Sequence, residues 1–114
     1  METNNALEAL AALAHPIRLS VFRLLVQAGP DGLPAGRIAE SLDMPASSLS
    51  FHLKELHRAE LLASRQDGRS IIYMAQFETM NGLLGYLTEN CCSGVACSPD
   101  FACKPPTLPK QPKP

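Results

Sequence analysis

Apolar residues recur at helical spacing in the first part of the chain. Residues 3–14 are predicted to form a helix that Thr3 caps, in which leucines recur every three positions among alanines, at Leu7, Leu10 and Leu13. Pro16 suits the first position of a second helix, where its fixed φ is helical and a missing N–H costs nothing. The run Gly-Pro-Asp-Gly at 29–32 ends this helix. The apolar face of this second helix comprises Ile17, Val21, Leu24, Leu25 and Ala28.

Two helices joined by a tight turn are predicted next. The first covers about residues 34–42, with Ile38, Ala39 and Leu42 inward, and residues 43–45 form the turn. The second begins at Ala46 or Ser47 and runs to about Glu60. Its buried stripe follows the spacing i, i+4, i+7 and comprises Leu49, Leu53 and Leu56. Because the other face of this helix is polar and starts with small hydroxyl residues, the pair is typical of a helix-turn-helix.

A β-hairpin is predicted directly after this motif. Residues 61–65 and 70–75 are short apolar segments that flank Gln-Asp-Gly-Arg, and Asp-Gly between β-forming residues is a strong hairpin signal. A hairpin that directly follows a recognition-type helix is typical of the wing of a winged helix-turn-helix. Residues 77–89 then form a last helix whose apolar positions are Met80, Leu83, Leu84 and Leu87. The predicted fold class is therefore mainly α with a β-hairpin, a winged helix-turn-helix with the order α-α-α-α-β-β-α.

Composition limits the class of protein without identifying it. The length of 114 residues predicts one domain, and 46% hydrophobic residues fit a globular chain. The longest apolar run falls short of the roughly 18 residues of a membrane helix, and the N-terminus lacks a signal peptide's positive region. We therefore expect a cytoplasmic protein without a membrane partner. Residues 1–103 carry seven Lys/Arg against eleven Asp/Glu, so any DNA contact must come from a local patch.

Three stretches of sequence resemble the ArsR/SmtB family of winged-helix metal-responsive repressors. Residues 13–19, Leu-Ala-His-Pro-Ile-Arg-Leu, resemble the family's entry to its second helix. Residues 48–56 match its recognition helix, and residues 61–73, with Arg65, Gly68 and Tyr73, match its wing. The chain departs from the pattern at Glu60, where the family usually has Gly, and at Phe51, where Arg is common. The resemblance covers about residues 7–88 and implies a repressor that binds operator DNA.

The predicted DNA contacts lie on the recognition helix, the supporting helix and the wing. Short hydroxyl side chains near a helix N-terminus allow close approach to phosphates and bases, and Arg and Lys reach phosphates. The candidates are Arg37, Ser47, Ser48, Ser50, Phe51, His52, Lys54, Arg58, Arg65 and Arg69. Serines at a helix start also act as caps, and surface cations are often only solvated. His15, before Pro16, is interpreted as a turn or packing residue rather than a ligand, and His57 is ambiguous.

All four cysteines lie in one short segment after the last predicted helix. They are Cys91, Cys92, Cys97 and Cys103. In a reducing compartment such a cluster indicates metal binding or redox activity. Thiolates are soft ligands that select metals such as Zn, Cd, Pb or Cu(I). Four thiolates could form a tetrahedral zinc site. A vicinal disulfide would be strained, which keeps redox sensing open as an alternative.

The resemblance narrows the expected ligand. The founding arsenic repressors carry Cys-x-Cys in the helix before the turn, and residues 34–42 of this chain contain no cysteine. The C-terminal thiols resemble instead a variant subgroup that senses trivalent arsenic through a Cys-Cys pair and a third cysteine. We therefore expect As(III) or Sb(III) as the inducer, without an organic cofactor. Cys91 and Cys92 are the expected first two ligands, and Cys97 is preferred to Cys103 as the third by proximity.

We expect a homodimer for two reasons. The predicted helices 3–14 and 77–89 carry more apolar residues than a small core needs, and two DNA half-sites require two recognition helices. Residues 1–90 are predicted to bind DNA and dimerise, 91–103 to bind the ligand, and 104–114, with five prolines and three lysines, to be a disordered tail. An enzyme is not expected, since a Ser-His-Asp grouping, a phosphate-binding glycine loop and a helix-start Cys-x-x-Cys are missing. A metal-buffering protein without DNA function is the remaining alternative.

Overall fold

Five helices and a three-stranded antiparallel sheet make up the part of the chain that a computed structural model describes, residues 1–91. Cys92, Cys97, Cys103 and the predicted tail 104–114 lie outside these residues. The helices are α1 (Thr3–Leu13), α2 (Pro16–Ala28), α3 (Ala35–Leu42), α4 (Ala46–Arg58) and α5 (Phe77–Leu87). The strands are β1 (Leu33–Pro34), β2 (Leu62–Asp67) and β3 (Ser70–Ala75). The predicted winged helix-turn-helix fold class is confirmed, with one additional strand.

Local chemistry explains where the helices of the DNA-binding motif begin and end. Pro16 is the first residue of α2, and the preceding His15 caps that helix by accepting the N–H of Ile17 at Nδ1, 3.2 Å away. The helix α3 ends at Leu42, and the next residue, Asp43, has a φ of 53°, in the left-handed region that Asp tolerates. The turn to α4 follows directly, so the two helices of the motif stay close together.

The hydrophobic core lies between α2, α3, α4 and the sheet. The stripe Leu49, Leu53 and Leu56 is buried as predicted, and Val21 and Leu25 of α2 are fully buried beside it. On α1 the buried residues are alanines: Ala6, Ala9 and Ala12. Small alanines allow α1 to approach the other helices closely, which leaves Leu7 and Leu10 exposed on its outer side.

Several predicted boundaries differ from the structure. Thr3 does not cap α1: Glu2 holds the cap position, and the Thr3 hydroxyl hydrogen-bonds to the Tyr86 hydroxyl of α5 at 2.6 Å instead. The helix α4 ends at Arg58, before Glu60, which has a φ of 64° and cannot continue a helix. The strand β2 extends to Asp67, and α5 ends at Leu87.

The third strand, β1, was not predicted. It has two residues, and Leu33 pairs with Tyr73 and Pro34 with Ile72 at the outer edge of β3. Pro34 suits an edge strand because it has no N–H to donate to a further strand. Within residues 1–91 no single helix is long and apolar enough to span a membrane, and only the pair Thr3–Leu13 and Pro16–Asp31, bent by 102°, meets that criterion together.

Candidate nucleic-acid interface

The outer face of α4 carries most of the predicted DNA contacts. Leu49, Leu53 and Leu56 fix the opposite face against the core, so the orientation of the helix about its axis is set by burial. The outer stripe runs at the spacing i, i+4, i+7, i+11 and comprises Ser47, Phe51, Lys54 and Arg58, all exposed. Ser48 and Ser50 are exposed beside it. Pro45, rather than a serine, occupies the N-cap position.

A cluster of side chains from α2 and α4 lies next to this stripe. Arg18 of α2 donates from Nε to Nδ1 of His52 at 3.2 Å, and its guanidinium carbon lies 5.5 Å from the centroid of the Phe51 ring. The rings of His15 and His52 have centroids 4.7 Å apart, and Phe51 meets His52 edge-on at 5.6 Å. The start of α2 is therefore attached to the middle of the recognition helix.

The environment of His52 favours its neutral form. Burial lowers the pKa of His52 below its usual value, and the nearby His15 and Arg18 lower it further because positive charges disfavour a second cation. The hydrogen bond from Arg18 requires an unprotonated Nδ1, so a neutral ring carries its proton on Nε2. In this state the outward nitrogen can act as a donor.

The two arginines of the wing have different surroundings. Arg65 of β2 does not lie at the hairpin tip: its guanidinium donates to the carbonyl of Asp31 at 3.1 Å and to that of Pro30 at 3.5 Å. It thus ties the wing to the turn after α2. Arg69 lies in the exposed tip between the closing pair of Asp67 and Ser70, where a groove of DNA would meet the wing.

Two further predicted cations are paired with acids. Arg58 forms an ion pair with Glu55 at 2.7 Å, and this hydrogen bond holds the pKa of the Glu55 carboxyl below its usual range. Arg37 on α3 lies 3.9 Å from Glu40, and both side chains are largely exposed. Such exposed pairs are weak, so a phosphate can replace the carboxylate as the partner of either arginine.

A groove of about 480 Å³ separates α4 from the wing. Its α4 side presents Lys54, His57 and Arg58, and its sheet side presents Ser64 and Tyr73. The His57 Nε2 and the Ser64 hydroxyl are 3.4 Å apart across this groove. The groove thus has basic groups on its α4 wall and hydroxyl groups on its sheet wall, and both are side chains of the kind that contact nucleic-acid phosphates.

Solved structures with a similar fold include a DNA-binding domain and a possible transcriptional regulator. The chain is similar to the homodimeric winged helix-turn-helix DNA-binding domain of Mb0332 from Mycobacterium bovis, described as a possible ArsR-family transcriptional regulator, with 19% identity and a TM-score of 0.62 over 83% of this chain and 88% of that one. At this identity the likeness concerns the fold. A possible transcriptional regulator for arsenical resistance is 25% identical, with a TM-score of 0.62 over 70% of this chain and 80% of that one.

The chain is also related in sequence to the protein NolR. A family model described as a helix-turn-helix domain matches residues 13–65. The nodulation protein NolR of Rhizobium meliloti is 30% identical over 70% of this chain and 63% of that protein, so the match spans less than two thirds of its length. The solved NolR of Sinorhizobium fredii is 30% identical over 77% of this chain and 85% of that chain, with a TM-score of 0.61. The chain belongs with NolR to a family of helix-turn-helix transcriptional regulators, and its winged fold is similar to that of a possible ArsR-family regulator. Two further relatives, from Mycobacterium tuberculosis, are 35% identical over 58% of this chain and 56% of each protein, and both are described as uncharacterized HTH-type transcriptional regulators. These descriptions are of regulators and not of enzymes, as predicted.

Sequence reasoning missed one residue of the candidate site in this helix-turn-helix regulator. Arg18 was not among the predicted DNA contacts, although it contacts both Phe51 and His52. His15 is a helix cap and packing residue, as interpreted from its position before Pro16. The signal that could have identified Arg18 is its place three residues after His15, on the same side of α2.

The first predicted cysteine ligand follows α5 of the ArsR-type fold closely. Cys91 is partly buried, and its backbone N–H donates to the carbonyl of Thr88 at 3.0 Å. The Thr88 hydroxyl in turn donates to the carbonyl of Leu84 at 2.8 Å. Within residues 1–91 no three His, Cys, Asp or Glu side chains come together as a metal site, and three of the four predicted ligands lie beyond that range.

Proposed function

We propose that this protein is a homodimeric transcriptional repressor that binds operator DNA and releases it when trivalent arsenic or antimony binds its C-terminal cysteines. The observation that carries the DNA-binding part is the outer stripe of α4, which is exposed opposite a fully buried leucine stripe and adjoins the wing. A helix presented in this way can enter the major groove, while the exposed Arg69 at the wing tip reaches the backbone.

The ligand-binding part of the proposal rests on the cysteine segment. We assign ligand binding to residues 91–103 and DNA binding with dimerisation to residues 1–90. Cys91, Cys92 and Cys97 supply three thiolates for a pyramidal As(III) or Sb(III) centre, and Cys103 is the less favoured third ligand. The relative described as a possible regulator for arsenical resistance is in keeping with this ligand.

A second copy of the chain would cover the outer sides of α1 and α5. Leu7 and Leu87 are 57% and 55% exposed, and Leu10 and Leu84 are also exposed on these two helices. The Thr3–Tyr86 hydrogen bond joins α1 to α5, so the two helices that carry these leucines are neighbours. Exposed apolar patches of this kind mark interaction sites. The two recognition helices of a dimer would match the two half-sites of a palindromic operator.

Coupling between ligand and DNA would pass along packed helices. Cys91 adjoins the end of α5, α5 packs against α1, and α1 packs against the recognition helix α4. Loading the cysteines would shift α5 and thereby the spacing of the two recognition helices. Ligand and DNA then weaken each other's binding by the same factor.

The DNA-binding part is tested by selecting duplexes from a random pool with the full-length reduced protein and measuring their dissociation constants against salt. We expect selective, palindromic sites whose affinity falls steeply with salt concentration. Because the dimer carries two copies of Lys54, Lys54→Gln should reduce the salt slope by about 2, and the charge-preserving Lys54→Arg should retain it. Equal binding to all duplexes, including the promoter of the protein's own operon, would refute a repressor.

The inducer is identified by measuring release of the selected duplex with arsenite, antimonite, methylarsenite, zinc, cadmium and lead. Release by arsenite and antimonite supports the proposal. Release by a divalent ion alone would support a soft-metal repressor, and release by a mild oxidant alone would support a thiol-redox repressor.

A further inference from the structure

Phe51 is an exposed aromatic residue in the centre of the recognition face. Its relative exposure is 57%, and it lies on the side of α4 opposite the buried stripe Leu49, Leu53 and Leu56. Ser47 lies one turn before it and Lys54 one turn after it on the same stripe. If α4 enters the major groove, this ring is directed at the base edges.

The ring is held in place by neighbours on one side. The Arg18 guanidinium lies 5.5 Å from the ring centroid, in the range of a cation–π contact, and the edge-on ring of His52 lies 5.6 Å away. Arg18 is itself fixed by its hydrogen bond to His52. These contacts limit the rotamers of Phe51 and leave the outer part of the ring uncovered.

A phenylalanine ring can contact only certain groups in the major groove. It has no hydrogen-bond donor or acceptor, so it neither reads the donor pattern of a base edge nor binds a phosphate. The apolar group that the major groove offers is the 5-methyl of thymine. We propose that Phe51 is a specificity-determining residue that contacts the 5-methyl group of one thymine in each operator half-site. This inference rests on the proposed DNA-binding function and names the base that the site reads.

The surroundings of Phe51 favour DNA over a protein partner. The ring is flanked by Arg18 and Lys54, which suit a polyanion, and by the small polar Ser47. The larger exposed leucine surface lies elsewhere, on α1 and α5. A second copy of the chain is therefore not expected to bind at Phe51.

The test replaces each thymine of the selected duplex in turn by deoxyuridine, which lacks only the 5-methyl group. We expect one thymine per half-site at which this change weakens binding of the wild-type protein about fourfold, since about one buried methyl group is lost. Because both subunits carry the change, Phe51→Ala should weaken binding to the thymine duplex by about the square of this factor, roughly 16-fold, and should bind the thymine and deoxyuridine duplexes equally. Phe51→Leu should retain a preference for thymine.

A matched control lies on the same stripe. Lys54→Gln should weaken binding to both duplexes and leave the ratio of their dissociation constants unchanged. If no thymine shows a deoxyuridine effect that Phe51→Ala removes, the inference is wrong while selective DNA binding still stands. If Phe51→Ala instead changes the sedimentation coefficient, Phe51 is a protein contact. If no duplex is selected at all, the proposed function fails together with the inference.

Discussion

His52 joins two helices through its imidazole ring. It projects from α4, accepts a hydrogen bond from Arg18 of α2 and lies against the ring of His15. Its position in the recognition helix could be predicted from sequence, because the helical spacing of buried leucines sets which residues face outward. The contact with Arg18 could not, since it joins residues 34 positions apart and depends on how α2 and α4 cross.

The lowered pKa of His52 predicts a pH-dependent stability. Because the folded protein binds this proton less readily than the unfolded chain, the stability present above about pH 6.5 is lost as pH falls toward the lowered pKa. The free energy of urea unfolding of the wild type should therefore decrease from pH 7 to pH 5 more than that of His52→Gln. An equal decrease in both proteins would show that His52 protonation does not strain the fold.

The short turn between α2 and β1 contains one feature that the sequence predicts, the end of α2, and leads into one that it does not, the strand β1. The run Gly-Pro-Asp-Gly correctly predicted the end of α2, because glycine and proline both interrupt helices. The two-residue strand β1 was not predictable, since it exists only because the turn brings Leu33 and Pro34 beside β3. The hairpin of β2 and β3, with its local Asp-Gly signal, was predicted.

Two glycines of this turn provide a matched pair for testing the packing of β1. Gly29 and Gly32 have similar positive φ values of 77° and 68°, so alanine at either position costs about 1 kcal/mol of backbone strain. A Cβ at Gly29 would meet nothing within 4 Å, whereas one at Gly32 would overlap the carbonyl oxygen of Tyr73 in β3. We expect Gly32→Ala to lower the free energy of unfolding by at least about 2 kcal/mol more than Gly29→Ala. Equal losses in urea titrations would contradict the close approach of turn and strand.

At the scale of the whole molecule, the leucines of α1 and α5 predict the assembly. The sequence shows their helical periodicity, and it predicts a dimer because the two helices carry more apolar residues than a small core needs. Which residues of α1 face the core was not evident, because the small alanines pack inward and Leu7 and Leu10 outward. For the segment 91–103, the residue types predict a ligand-binding role and not a structure.

Dimerisation is tested by placing a charge on the exposed leucine surface. Leu87→Glu should shift the protein toward monomer in sedimentation velocity at micromolar concentration, because a carboxylate would be buried without a partner. Binding to the selected palindromic duplex should weaken at the same time. Ile71→Glu, which changes an exposed apolar residue of the wing, should remain dimeric. A wild-type monomer at this concentration would refute the proposed assembly.

The central claim is that the C-terminal thiols control DNA binding by the winged helix. Its most direct test is fluorescence anisotropy of the selected duplex, titrated with arsenite, for the wild type, Cys91→Ser, Cys92→Ser, Cys97→Ser and Cys103→Ser under reducing conditions. We expect arsenite to weaken wild-type binding by about 5–150-fold. Cys91→Ser, Cys92→Ser and Cys97→Ser should abolish this response, and Cys103→Ser should retain it. A Cys92→Ser protein that releases DNA as the wild type does, or a wild type that ignores arsenite, would contradict it.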